Sequence, residues 1–323
     1  MVNIPDLLNL PSLEDELARL EEALRQSVVA EDPFLTEVAG HLIGAGGKRL
    51  RPALALASAA AGGAATTDDV LSGGVSVELV HLGSLYHDDV MDEAPSRRGV
   101  ESVNSRWGNL VAILAGDFLL AKASEIAASL GTEVAGLLAA TIGRLCEGQV
   151  SEIKAAFDVN RTEEAYITSI AGKTASLMAA ACRIGGITAG LDRPRIEALT
   201  TFGEAFGMVF QIRDDVLDIT GTDESLGKPA GHDLVEGTYS LPVIYALADP
   251  SAGPELRSLL GRPVGPPERD KARDIVRSTD GIAGARDRAL EYAATAAEAL
   301  AALPPGPVTT AMGALGHRLL EDI

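Results

Sequence analysis

The words Asp88-Asp89-Val90-Met91-Asp92 and Asp214-Asp215-Val216-Leu217-Asp218 place aspartates at matching offsets, each at the end of a long apolar stretch. Residues four apart lie just over one helical turn from each other, so Asp88 and Asp92 share a face, as do Asp214 and Asp218. Carboxylates crowded in apolar surroundings repel unless cations or buried donors satisfy them. Hard divalent cations shared with a phosphorylated ligand would do so, because Mg²⁺ commonly takes one or two carboxylates together with phosphate oxygens. Either word alone is compatible with a solvated helix end, but the recurrence of both favours a metal cradle. Asp89 and Asp215 point about 100° away from those faces and are expected to support their neighbours. An EF-hand is excluded by the missing glycine at its sixth loop position and the missing alternation of ligands. A di-iron bundle would need Glu-x-x-His pairs, which the chain lacks.

Cations cluster although the chain is acidic overall. GGKRLRP sets Lys48, Arg49 and Arg51 between two glycines and Pro52, and SRRG sets Arg97 and Arg98 just beyond the first acidic word. Gly46 and Gly47 permit close backbone approach, and arginine offers a fork matched to phosphate oxygens. Each cluster alone resembles a solvated surface patch. Beside an acidic cradle, the set suggests one diphosphate held by metals and a second held by bare cations.

Helices must carry these groups. Leu13, Leu17, Leu20 and Leu24 follow helical spacing after Ser12, a candidate N-cap, as far as about Val28. Further helices are expected over Ala53–Ala61, Val70–His87, Asn109–Leu130, Val134–Ala156, Thr162–Gly172, Ala175–Ala189, Arg195–Ile219, Leu241–Leu247, Ala272–Ser278 and Ala285–Leu303. Glu93–Gly108, Asp158–Arg161, Asp192–Pro194, Gly221–Gly237 and Gly261–Glu268 read as separators. No segment sustains period-two alternation, so the expected fold is all-α, one large bundle spanning residues 1–323. Hydrophobic residues make up 46% and aromatics 4%, a composition suited to closely packed helices. The net charge of −19 argues against nucleic acid and anionic lipid as partners. No apolar run is long enough to span a membrane, and early acidic residues from Asp6 onward argue against a secretory signal. A cytoplasmic protein is expected, with Cys146 and Cys182 as buried free thiols.

From about Leu35 to Leu247 the chain resembles the trans-isoprenyl diphosphate synthases, the polyprenyl synthetase family. The resemblance rests on GGKRLRP, HLGSLYHDDVMDEAPSRRG, AGDFLLAKA, GKTASL, FQIRDDVLD and LGKPAGHDL, which occur in the family's order. It implies an all-α bundle around a deep central cavity, assembled as a homodimer, and a Mg²⁺-dependent condensation. Asp88, Asp92, Asp214 and Asp218 would hold the Mg²⁺, three ions in all, and these would hold the allylic diphosphate with Arg97, Lys173 and Lys228. Isopentenyl diphosphate would sit with Lys48, Arg51, His81 and Arg98. Thr174 and Gln211 would lie beside the reacting carbons, with Gln149 a further candidate. The histidine at position 81 stands out through its spacing from Asp88, since a lone histidine on an apolar helix is commonly a hydrogen-bonded core residue. Glu93, His87 and His232 receive no role.

One departure concerns Gly237-Thr238-Tyr239-Ser240, where the family commonly has Gly-Lys-x-Thr. Thr238 replaces a lysine that would contact the allylic diphosphate, so weaker allylic binding or compensation by Lys228 is expected. Product length should depend on what lies beneath the first acidic word: Ser84, its neighbour Gly83, and Val80. Short-product relatives place a bulky aromatic there. The small residues here imply an open tunnel and a long product, from heptaprenyl to decaprenyl, such as a quinone side chain. A floor at Phe118 or deeper would instead give a geranylgeranyl or farnesylgeranyl product. A class I terpene cyclase would carry a different second metal motif and lack the basic cluster. A non-catalytic partner subunit would have lost the acidic words.

Overall fold

The chain, described here by a computed structural model for residues 4–8, 10, 13–226 and 229–323, is cut into helices mainly by caps and prolines. Helix α1 (Leu13–Ser27) buries Leu20 and Leu24; Ser12, its expected cap, lies outside the described residues. Asp32 accepts from the Phe34 amide at 2.8 Å to open α2 (Pro33–Gly44), which precedes α3 (Leu50–Ala61). Thr67 accepts from the Val70 amide at 3.3 Å and starts α4 (Asp68–Met91). Then follow α5 (Val103–Trp107), α6 (Asn109–Ser129), α7 (Thr132–Lys154) and α8 (Glu163–Ile170). A π-helical turn, Ala171–Ala175, leads into α9 (Ser176–Thr188), and Asp192 caps the long α10 (Arg193–Thr220). The remainder is α11 (Asp223–Leu226), α12 (His232–Glu236), α13 (Leu241–Ala248), α14 (Gly253–Leu259), α15 (Pro266–Arg277), α16 (Gly281–Ala299) and α17 (Pro307–Leu319).

Helix α10 runs through the interior, packed on α9 and α16, while α4 packs on α3 and α6. Leu82, Met178, Phe206 and Val209 belong to the main core, and a smaller core around Leu234, Tyr239, Val243 and Val276 closes the α13–α15 end. The architecture is all-α, as expected: among the described residues, the only strand pairing is a two-residue hairpin, β1 (Ser96–Arg97) with β2 (Val100–Glu101).

The differences from the expected elements have physical causes. Helices α2, α14 and α17 fall where none was expected, and α15 begins before Ala272. All four carry proline in the first turn, where its missing N–H costs nothing. Helix α4 continues past His87, so Asp88 and Asp89 sit in its last turn and Asp92 at its C-cap. Within the expected loop Glu93–Gly108, hairpin turn residues Arg98 (φ 54°) and Gly99 (φ 78°) both adopt left-handed backbone, as a tight two-residue hairpin turn demands. Cys182 is buried and its thiol is pushed up to about 12 by burial, but Cys146 is exposed on α7, contrary to expectation. No helix among the described residues is long and apolar enough to cross a membrane.

Candidate active site

Three cavities lie along α4, α10 or both, and each draws on different chemistry. The first, about 320 Å³, is apolar and includes Val80, Ser84 and Asp88 of α4, Leu120 of α6, and Leu145 and Val150 of α7. Val80, Ser84 and Asp88 thus form one continuous strip, as their spacing requires. Gly83 does not share it. A Cβ there would lie 3.1 Å from the Gly116 carbonyl oxygen and 3.2 Å from Leu120 Cγ, so its face is the α4–α6 contact. Phe118 is not among the residues that line this cavity; its ring lies 5.5 Å from the Lys122 ammonium, while Leu120 reaches the cavity.

Asp88 closes the polar end of this strip. Burial pushes its carboxyl up to about 6, Lys173 opposes that rise, and Asp92 adds to it. The Asp92 carboxyl is also raised, by burial first and then by Glu236 of α12. Asp89 turns the other way and is fully buried, accepting from Arg97 Nε at 2.7 Å and Nη2 at 2.6 Å. Its carbonyl takes the Asn104 amide at 3.0 Å, so the middle aspartate anchors the hairpin that carries both arginines.

The second cavity, about 120 Å³, is polar and adjoins the first at Lys173. The π-helical turn carries Lys173 and Thr174 into it; such turns recur at functional sites. Thr174 Oγ1 donates to Gln211 Oε1 at 2.7 Å, Gln211 Nε2 donates to Asp215 Oδ1 at 2.7 Å, and Tyr166 donates to Asp215 Oδ2 at 2.6 Å. Burial raises Asp215 to about 7 against those two bonds, and Asp214 and Glu152 push it further up. Lys173 is ion-paired with Glu152 of α7; burial lowers its pKa, but Glu152, Asp88 and Asp92 together raise it. Asp214 is half-exposed beside Arg213, whose guanidinium is clamped by the Leu319 carbonyl at 2.7 Å and Asp322 at 2.6 Å. Asp218 is buried, and its carboxylate accepts the Asp233 amide at 3.3 Å. Lys228 lies outside the described residues.

The third cavity, about 300 Å³, gathers Lys48, Arg51, His81 and Arg98, the expected set, with Glu78 and Phe210. Left-handed Arg49 (φ 47°) turns its side chain inward to Glu21 and to Glu78 at 3.0 Å. A Cβ on Gly47 would lie within 2.9 Å of the Arg98 and Arg49 guanidinium nitrogens, so glycine is what lets the two arginines converge. Arg98 is bound to the Gly46 and Leu42 carbonyls, while its neighbour Arg97 serves Asp89 on the opposite side. Burial drives His81 well below its ordinary pKa, and Arg51 and Arg98 lower it further, so the ring is neutral near pH 7. The buried Glu78 and Arg161 and the part-buried Glu152 escaped the sequence reading, since nothing local marks a charge whose partner comes from elsewhere in the chain.

Among the described residues, no group of three or more His, Cys, Asp or Glu side chains is close enough to enclose a metal by itself. Hard carboxylates that are desolvated and raised, as Asp88 and Asp92 are, fit Mg²⁺ whose remaining ligands are phosphate oxygens.

The Polyprenyl synthetase family model matches residues 32–277. The nonaprenyl diphosphate synthase of Mycobacterium tuberculosis is 39% identical over 318 residues, covering 97% of this chain and 94% of that protein. Among solved structures, a decaprenyl diphosphate synthase from Rhodobacter capsulatus superposes with a TM-score of 0.89 at 33% identity, covering 97% of each chain. A geranylgeranyl pyrophosphate synthase from Corynebacterium glutamicum, complexed with calcium and isoprenyl diphosphate, has a TM-score of 0.86 at 37% identity and covers 98% of each chain.

Proposed function

Given that this chain belongs to the polyprenyl synthetase family and is a prenyltransferase, we propose that its three cavities divide one condensation between them. The basic cavity takes isopentenyl diphosphate, the region around Asp88, Asp92, Asp214, Asp218 and Lys173 takes an allylic diphosphate with Mg²⁺, and the apolar cavity takes the growing prenyl chain. The observation that carries this reading is the strip Val80–Ser84–Asp88, which joins an apolar cavity to desolvated carboxylates beside Lys173. Bound Mg²⁺ would stabilise negative charge on the departing diphosphate. Asp88 and Asp92 hold and orient that ion–diphosphate group; Lys173 adds a cation at its edge. Gln211 and Thr174, locked by their bonds to each other and to Asp215, present polar atoms beside the allylic carbon. The allylic C–O bond breaks with its electron pair going to diphosphate, the isopentenyl double bond bonds to the allylic carbon, and the proton then lost passes to the released diphosphate.

Small side chains along the strip support a long product, from heptaprenyl to decaprenyl. The whole chain acts as one domain and works as a homodimer. A pair is supported by the apolar face of α6 and α7, where Leu110 (72% exposed), Leu114 (57%) and Ile153 (56%) stand open. The test supplies Mg²⁺ with isopentenyl diphosphate and farnesyl or geranylgeranyl diphosphate, singly and together. Diphosphate release only with both substrates, and products of seven to ten isoprene units by mass spectrometry, is expected. Products ending at four or five units would refute the long-chain assignment, and release from the allylic substrate alone would refute condensation.

A further inference from the structure

Arg161 lies in the turn between α7 and α8, a segment with no role in the reaction as described so far. It is only 6% exposed and walls the polar cavity together with Lys173, Thr174, Gln211 and Thr238. One corner of its guanidinium is fixed: Nη1 donates to the Tyr239 carbonyl at 3.0 Å, and the group sits 5.4 Å from the centre of the Tyr166 ring. Its other edge is unsatisfied, because Nε and Nη2 are both buried without a hydrogen-bond partner. A buried cation with idle donors is costly unless something anionic completes it. Two carboxylates of the same cavity are held by other groups, Glu152 by Lys173 and Asp215 by Tyr166 and Gln211.

The Nε–Nη2 edge of an arginine is a two-pronged donor that matches two oxygens of one phosphate. Thr238 walls the same small cavity, at the position where the resemblance leads one to expect a lysine. The carbonyl that anchors Arg161 belongs to Tyr239, the next residue. A cation from the turn before α8 thus lines the same space as Thr238 in the segment after α12.

We propose that Arg161 is an allylic-diphosphate-binding residue that takes the place of the lysine absent at position 238, receiving phosphate oxygens on its Nε–Nη2 edge. The assignment rests on the prenyltransfer reading above, and it moves the compensation for Thr238 from Lys228 to Arg161. It also explains why Arg161 is anchored at a single corner. The Tyr239 carbonyl and the Tyr166 ring hold the group in place, while the buried Nε–Nη2 edge is left without a protein partner.

The test measures KM for farnesyl diphosphate and for isopentenyl diphosphate, together with helical circular dichroism, in Arg161→Gln, Arg161→Lys and Arg161→Gln/Thr238→Lys. Arg161→Gln is expected to raise the farnesyl diphosphate KM about tenfold or more while the isopentenyl diphosphate KM stays within about twofold. Arg161→Lys should lose less, and Thr238→Lys should recover most of the loss in the Arg161→Gln background. An unchanged farnesyl diphosphate KM, an equal rise in both KM values, or no recovery by Thr238→Lys would overturn the assignment. If changing Arg161 unfolds the protein, Thr238→Lys alone decides the matter through titration with inorganic pyrophosphate and Mg²⁺. A tightening below about threefold is expected where Arg161 already supplies the cation, and a larger one would overturn the proposal. Absence of condensation in the unaltered chain would instead remove the prenyltransfer reading itself, so the two failures are distinguishable.

Discussion

In the basic cavity Arg49, Arg51 and Arg98 surround one buried carboxylate, Glu78, whereas the apolar cavity is walled by side chains such as Val80, Leu120, Ile142 and Leu145. The polar cavities are built from charged and polar groups that hold one another: Glu78 with Arg49, Glu152 with Lys173, and Asp215 with Tyr166 and Gln211. Removing one member strands another in low dielectric. The apolar wall has no such interdependence, because dispersion and burial depend on volume rather than on a particular partner. Chemistry at the polar end should therefore be intolerant of substitution, while product length at the apolar end should shift gradually with side-chain size.

The largest effect falls on Asp88. Asp88→Asn keeps the shape and removes the charge, and it should lower kcat on the order of 10³-fold, since stabilising the departing charge is worth several kcal/mol. Helical circular dichroism should be unchanged. A near-normal rate would break the distinction between the two kinds of wall at its most exacting point. Glu78→Ala probes the same distinction through stability. It leaves Arg49, Arg51 and Arg98 facing one another without their common counter-charge, and should destabilise the fold by about 3–5 kcal/mol in urea unfolding. A loss below about 1 kcal/mol would mean that the basic cavity is not held by its internal ion pairs.

The acidic words were readable because both partners of each pair lie on one helix, where spacing alone fixes the face. The all-α class was readable for a related reason, since the 3.6-residue period survives in helices such as α1 and α7 without reference to the rest of the fold. What could not be read were groups defined by distant chain. Glu152 and Lys173 meet only because α7 packs on the π-helical turn, and Arg161 becomes a cavity wall only because the Tyr239 carbonyl fixes it there. Prolines 33, 254, 266 and 307 misled for a different reason, since the same residue that ends a helix interior is well suited to begin one. Gly83 shows the limit of grouping sequence neighbours. One residue is a 100° rotation, enough to carry it off the Ser84 face and onto α6.

Ser84→Phe tests the apolar wall directly. An aromatic ring on the Val80–Ser84–Asp88 strip would occupy part of the roughly 320 Å³ cavity beneath the diphosphate site. The product should shorten by several isoprene units, while the rate of the first condensation stays within about tenfold, because the polar groups are untouched. An unchanged product distribution by mass spectrometry would show that the chain does not grow along this strip.

The smallest effect, and the sharpest contrast with Ser84, is Gly83→Ala. Its new Cβ would press on the Gly116 carbonyl oxygen at 3.1 Å and on Leu120 Cγ at 3.2 Å, contacts that α4 and α6 relieve by giving a few tenths of an ångström. Overpacking of this kind costs about 1–3 kcal/mol, and replacing a helix-interior glycine returns about 0.5–1 kcal/mol. The net destabilisation should be on the order of 1 kcal/mol, readable as a shift in the urea midpoint at constant slope. Product length should not change, because the methyl group points into the helix contact and not into the cavity. A shortened product from so small a change at position 83 would mean that the α4–α6 seam, rather than the Ser84 strip, is the wall along which the prenyl chain extends.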